Sequence, residues 1–169
     1  RADRRRSLPR SGRRSRPAPL IEVGARAPDF TLPDHAGQEI SLSDFAGRRV
    51  LLAFYPLDFS PVCSDQLARY RGIQAQLQDA DVTLIGISVD SAFAHKAFRD
   101  QLGIENALLA DFEPKGAVAE AYGAYLGQAG HSNRSLVLIG PDQTVEWVHE
   151  AATPLDIPGP DLILEAIKA

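Results

Sequence analysis

Apolar and polar residues along the chain alternate in two rhythms, and the switches between them mark out the elements. Positions 50–55 (Val-Leu-Leu-Ala-Phe-Tyr) form an unbroken apolar run, the pattern of a strand buried on both faces of a sheet. Within 62–79, Leu67, Tyr70, Ile73 and Leu77 recur at spacings of three and four, which predicts a helix with one apolar face. Positions 82–89 predict a second buried strand. Ser91 is placed to cap a second helix, lined by Phe93, Ala97, Phe98 and Leu102. A short strand at 107–110 follows, and Pro114 opens a short helix ending near Gly123. Segments 136–139 and 144–149 flank Gly140-Pro141-Asp142-Gln143, a turn sequence that predicts a hairpin. Gly159-Pro160 introduces a last helix over 160–168.

The resulting order is βαβαβ, a short helix, then ββα. Right-handed crossovers and a closing hairpin make this an α/β fold, a central mixed β-sheet with helices on both faces. The order is similar to the thioredoxin-like one, preceded at 22–45 by a small N-terminal hairpin and a helical turn. A length of 169 residues with 44% hydrophobic and 24% charged positions suits one globular domain and excludes collagen and coiled-coil classes. The apolar runs fall far short of the roughly 20 residues that a membrane helix needs.

The net charge of -4 conceals two opposite segments. Residues 1–19 hold eight arginines and one acid, a net of +7, against -11 for the remainder. With three prolines and few large apolar groups, residues 1–20 are expected to be a disordered basic tail on an acidic domain spanning 21–169. The tail lacks the apolar stretch of a secretory signal, so a cytoplasmic location is expected. The absence of Met from the chain suggests that residue 1 is not the original initiator. The acidic domain offers no basic groove for nucleic acid.

One cysteine, Cys63, excludes an internal disulfide and a structural zinc site. It leaves three options: buried filler, redox centre or nucleophile. Cys63 stands in Pro56-Leu57-Asp58-Phe59-Ser60-Pro61-Val62-Cys63, between a buried strand and a helix, where α/β sheets gather their reactive groups. Pro61 suits the first helical turn. That leaves Cys63 among free backbone N–H groups and the positive end of the helix dipole, which favour a thiolate over a thiol. Ser60 adds a hydroxyl on the same loop, and Pro56 supplies an apolar wall. A filler role is the ordinary fate of a free cysteine, but a proline-rich entry into a helix argues for chemistry.

Pro56-x-x-x-Ser60-x-x-Cys63 resembles the peroxiredoxin active-site signature, Pro-x-x-x-Thr/Ser-x-x-Cys. Supporting stretches are Gly24-Ala25-Arg26-Ala27-Pro28-Asp29-Phe30-Thr31-Leu32, Gly86-Ile87-Ser88-Val89-Asp90 and Asn133-Arg134-Ser135. The likeness covers about 22–169 and is greatest to the one-cysteine, short-chain branch of the alkyl hydroperoxide reductase type. It implies thiol-dependent reduction of hydrogen peroxide and organic hydroperoxides, with no cofactor. By position it implies that Cys63 is the attacking cysteine, Ser60 the hydroxyl residue, Pro56 the shield and Arg134 the thiolate's partner. Val62, through its backbone N–H, and Gln66 are expected at the substrate site, although many relatives carry Glu where Gln66 stands. Ser60 in place of the commoner threonine keeps the hydroxyl but loses the methyl that stiffens χ1.

A single cysteine leaves no resolving thiol in the chain. The sulfenic acid is therefore expected to be reduced by an external thiol: thioredoxin, a glutaredoxin-like protein or a low-molecular-weight thiol. A thiol-disulfide oxidoreductase would need a second cysteine where Gln66 stands. A peroxide sensor or a holdase would use the same Cys63. The four histidines show no paired ligand spacing and are expected to be solvated or hydrogen-bonded, with no metal bound. The family pattern adds the expectation of a homodimer or larger homo-oligomer.

Overall fold

The computed structural model describes residues 18–169; the part of the expected basic tail up to residue 17 lies outside the described residues. The chain enters along the domain. Leu20 and Ile21 pack partly buried against the core, and the Ile21 N–H donates to the Tyr122 carbonyl at 2.9 Å. A two-stranded hairpin, β1 (Thr31–Pro33) with β2 (Glu39–Ser41), and a 3-10 turn at Leu42–Phe45 precede the main sheet.

The main sheet has five strands: β3 (Arg49–Phe54), β4 (Val82–Ser88), β5 (Ala107–Ala110), β8 (Ser135–Ile139) and β9 (Val145–Glu150), in the order β5-β4-β3-β8-β9. β3, β4 and β5 run parallel, whereas β8 is antiparallel to β3 and β9 to β8. The two faces bury two apolar clusters, because successive side chains in a strand point to opposite sides. Leu51, Ala53, Tyr55, Leu84, Leu136 and Leu138 meet α1 (Pro61–Arg71), α2 (Gln74–Asp79), α3 (Ala92–Leu102) and α5 (Pro160–Lys168) on one face. Leu52, Phe54, Ile87 and Val137 meet α4 (Ala117–Ala121) and the N-terminal segment on the other.

Three local expectations change. The helix expected over 62–79 is two helices, broken after Gly72, where Ile73 leaves the helical region at φ -111° and ψ 9°. The stripe itself survives, since Leu67, Tyr70, Ile73 and Leu77 are all buried. The helix expected from Pro114 begins only at Ala117, because Gly116 sits in the left-handed region at φ 73° and forms the N-cap. On α3, Ser91 does cap the helix, accepting from the Ala94 N–H at 3.2 Å. Its buried face, however, is His95 and Phe98 with partly buried Leu102, while Phe93 is 88% exposed. A polar residue at the centre of that face disguised the helix's true orientation. An extra small hairpin, β6 (Tyr125–Leu126) with β7 (His131–Ser132), precedes β8.

The register of β3 against β8 places the site. Phe54 pairs with Ser135, so the residue before Ser135 lies beside the end of β3, where the Pro56 loop begins. Arg134 also shares the alternation of Leu136 and Leu138, which directs it to the face that carries α1.

Candidate active site

β3 ends in Phe54, and the loop from Tyr55 to Ser60 leads into α1. Phe59 adopts φ 65°, an uncommon conformation for a residue with a Cβ. Its ring lies 5.1 Å from that of Phe98, a contact that helps hold the turn. Ser60 is the N-cap of α1 and Pro61 its first helical residue. Proline there sacrifices only an N–H that would be unpaired in any case. The first backbone bond of the helix runs from the Ser64 N–H to the Ser60 carbonyl at 2.9 Å. The amides of Val62 and Cys63 come before it and belong to the unpaired first turn.

Cys63 is fully buried. Arg134 Nη1 donates to its Sγ at 3.1 Å and to Gln66 Oε1 at 2.7 Å. Arg134 Nε donates to the Pro154 carbonyl. The Arg134 backbone is pinned as well, since the Ala151 N–H donates to its carbonyl at 2.9 Å. Gln66 is itself buried, and its Nε2 donates to Tyr70 Oη at 3.0 Å. Tyr70 Oη donates in turn to the Pro158 carbonyl at 2.8 Å. Burial pushes the Tyr70 phenol up to about 12, so it remains a donor at neutral pH.

One feature separates this cysteine from a filler. Arg134 is only 2% exposed, and a buried guanidinium needs compensation by an anion or a full set of acceptors. Among the described residues no carboxylate lies within ion-pair distance of it. Its side-chain partners are two neutral oxygens and the sulfur of Cys63.

Of the residues singled out in the sequence, the structure brings Cys63, Arg134 and Gln66 into direct hydrogen-bond contact. Pro56 is buried at the start of the loop. The Ser60 hydroxyl donates to the Leu57 carbonyl at 3.0 Å, which leaves its lone pairs rather than its proton towards a ligand. Gln66 is fully buried beside Cys63, and its side-chain oxygen accepts from the guanidinium. Sequence reasoning missed Tyr70 and the carbonyls of Pro154 and Pro158. In the sequence Tyr70 reads as part of a helical apolar stripe; its spacing of four from Gln66 is the available signal. The carbonyls come from an irregular segment without any side-chain signature.

Comparison with known proteins agrees with the geometry. The AhpC/TSA family model matches residues 23–148. The chain belongs to the AhpC/TSA family. It is thus a peroxiredoxin, a thiol-dependent peroxidase by class. It is 39% identical over 121 residues to alkyl hydroperoxide reductase E of Mycobacterium tuberculosis, covering 71% of this chain and 79% of that protein. It is 35% identical over 157 residues to peroxiredoxin 2 of Picrophilus torridus, covering 88% of this chain and 75% of the relative. Among solved structures, the reduced 2-Cys peroxiredoxin of Plasmodium vivax superposes with a TM-score of 0.78 at 29% identity, over 87% of this chain and 80% of that one. Peroxidoxin BcpB of Mycobacterium tuberculosis gives a TM-score of 0.78 at 25% identity, over 88% and 97%.

The chain from Gln66 through Tyr70 to Pro158 yields a stability prediction. Tyr70→Phe removes a buried donor to one carbonyl and an acceptor for one amide, so it should cost about 1–3 kcal/mol. Urea unfolding of the two proteins measures it. A difference below about 0.3 kcal/mol would mean that the hydroxyl holds nothing.

Proposed function

We propose that Cys63 is the peroxidatic residue and that Arg134 stabilises both its thiolate and the charge that develops on the peroxide. The Cys63 thiolate attacks one oxygen of ROOH. The S–O bond forms as the O–O bond breaks, and the leaving oxygen departs as water or an alcohol with the peroxide's own proton. Cys63 is left as a sulfenate, which takes a proton from solvent to become the sulfenic acid, the sulfur oxidised and the peroxide reduced by two electrons. No general base is needed, because the attacking sulfur is already deprotonated.

Charge moves from sulfur to oxygen in this step, so donors aimed at both atoms lower the barrier. Arg134 is a permanent cation with several N–H groups in a fixed fork. The free amides of Val62 and Cys63 add donors from the first turn of α1. The Ser60 hydroxyl, already donating to Leu57, accepts a hydrogen bond from the protonated oxygen of the peroxide. Pro56 closes the loop side against water. Gln66 keeps the guanidinium aimed at the sulfur.

The sulfenic acid is returned to the thiol by an external reductant, because the chain holds no second cysteine. The first thiol condenses with the sulfenic acid, releasing water and forming a mixed disulfide. A second thiol attacks that disulfide, frees Cys63 and leaves an oxidised dithiol product. We assign hydrogen peroxide and organic hydroperoxides as substrates, and thioredoxin, a glutaredoxin-like protein or a small thiol as reductant. A homodimer or larger homo-oligomer in the cytoplasm completes the reading. The observation that carries it is the buried Arg134 guanidinium, which has no carboxylate partner among the described residues and donates to the Cys63 sulfur.

Two measurements test it. One equivalent of hydrogen peroxide with dimedone present should add a single dimedone to Cys63 by mass spectrometry, and excess peroxide without thiol should drive the same sulfur to the sulfinic acid. Recovery of an unmodified Cys63 with the peroxide consumed would overturn the assignment. Arg134→Lys replaces a fork of donors by a point charge, so peroxide oxidation of Cys63 should slow by about tenfold or more in stopped flow. An unchanged rate would place Arg134 outside the reaction.

A further inference from the structure

The loop that carries Ser60 stands on a buried polar network that the mechanism above does not use. Tyr55 Oη donates to Asp58 Oδ1 at 2.6 Å. The other oxygen, Asp58 Oδ2, lies 2.7 Å from His95 Nδ1, with both side chains essentially inaccessible to solvent. His95 Nε2 lies 2.9 Å from the Leu109 carbonyl. The Asp58 backbone N–H donates to Asp90 Oδ2 at 2.9 Å, and the Ser88 hydroxyl donates to that same oxygen.

Proton counting constrains the network. A carbonyl only accepts, so His95 Nε2 carries a proton. Tyr55 Oη is already donating to Oδ1, and burial, reinforced by the Asp58 charge, holds its phenol well above the ordinary range. One proton must then lie between Nδ1 and Oδ2. It makes either an imidazolium–carboxylate pair or a neutral imidazole facing a carboxylic acid, and both are neutral overall. The other titratable groups around the pair are Asp90, at the end of β4, and His35, from the N-terminal hairpin turn, which interacts with His95 through space. The loop is therefore braced within itself by Tyr55 and tied to the residues just after β4 through Asp90, and to α3 and β5 through His95. Asp58 precedes Ser60 by two residues and Cys63 by five.

We propose that Asp58 and His95 are positioning residues, whose shared-proton hydrogen bond fixes the loop between β3 and α1 so that Ser60 and the first turn of α1 present their polar groups to the peroxide. Neither residue touches the reacting atoms. The inference rests on the assignment of Cys63 as the peroxidatic residue. It accounts for a fully buried histidine on α3. It also explains why the loop tolerates Phe59 at positive φ, since the backbone on its N-terminal side is held from three directions.

The two ideas separate in one set of measurements: stopped-flow oxidation of Cys63 by hydrogen peroxide, and alkylation of the same sulfur by iodoacetamide. Alkylation needs a thiolate but no aligned donors for a leaving oxygen. Asp58→Ala cuts the tie, and a misplaced cradle should lower the peroxide rate by about tenfold or more while alkylation stays within about threefold. Asp58→Asn can rebuild the geometry without the shared proton: its oxygen accepts from Tyr55, its NH2 donates to a neutral His95 Nδ1, and Nε2 still donates to Leu109. Its peroxide rate should stay within about threefold of the parent. Should Asp58→Ala fail to fold, His95→Gln, whose amide cannot span both Asp58 and Leu109, should show the same selective loss of peroxide rate. Equal peroxide rates in all variants, parallel losses in both reactions, or an Asp58→Asn as slow as Asp58→Ala would each overturn the positioning role. Failure of the parent protein itself to oxidise at Cys63 would instead overturn the assignment on which it rests.

Discussion

A guanidinium buried with no carboxylate partner among the described residues is the constraint from which the rest of this site follows. Removing such a charge from water is expensive, and a fold retains it only where acceptors and an opposite charge are waiting. Here the acceptors are the Pro154 carbonyl and the Gln66 amide oxygen, and the opposite charge we propose is a thiolate at Cys63, whose sulfur accepts from the same guanidinium. The pairing works in both directions. In the proposed mechanism, Arg134 makes a thiolate tolerable in a buried place, and the thiolate makes the arginine tolerable there. A cysteine that is only filling space would leave the cation unbalanced, so the burial of one residue argues for the ionisation of the other.

The architecture serves that pairing. The antiparallel register of β8 on β3 delivers Arg134 next to the strand end that feeds the Cys63 loop. Proline at the first position of α1 and Ser60 at its cap put Cys63 in the turn where backbone donors have no intrahelical acceptor. The irregular stretch between β9 and α5 supplies carbonyls on the far side of the guanidinium and beneath Tyr70. Polar groups in the core are thus linked to one another from Arg134 to Pro158. A second buried network, from Tyr55 through Asp58 to His95, anchors the loop from the other side.

Much of this was legible in the sequence. The unbroken apolar runs named β3 and β4, the turn residues named the β8–β9 hairpin, and Gly159-Pro160 marked the start of α5. Cys63 stood out because its residue type, its neighbours and its place after a strand all pointed one way. Arg134 was singled out by its match to a family stretch, and its inward direction required the register of β8. Less legible was anything made by backbone atoms or by polar residues posing as core. Pro154 and Pro158 contribute carbonyls, which every residue has. His95 occupies the buried face of α3 where periodicity favoured Phe93 and Ala97, and hydrophobic patterning cannot anticipate a histidine whose partners arrive from the β3–α1 loop and from β5. Gly72 was visible, yet an unbroken apolar stripe across it concealed the break between α1 and α2.

If the fold makes Cys63 reactive through Arg134 and the first turn of α1, the same sulfur should lose its advantage when the chain is unfolded. The direct measurement is the second-order rate of oxidation of Cys63 by hydrogen peroxide at neutral pH, in buffer and in denaturing urea. Mass spectrometry identifies the product in both. The folded protein should react faster than the unfolded chain by at least about a hundredfold, the order of magnitude that preorganised donors contribute. Equal rates in the two states, or a faster reaction in urea, would show that the buried pair shelters the cysteine instead of activating it.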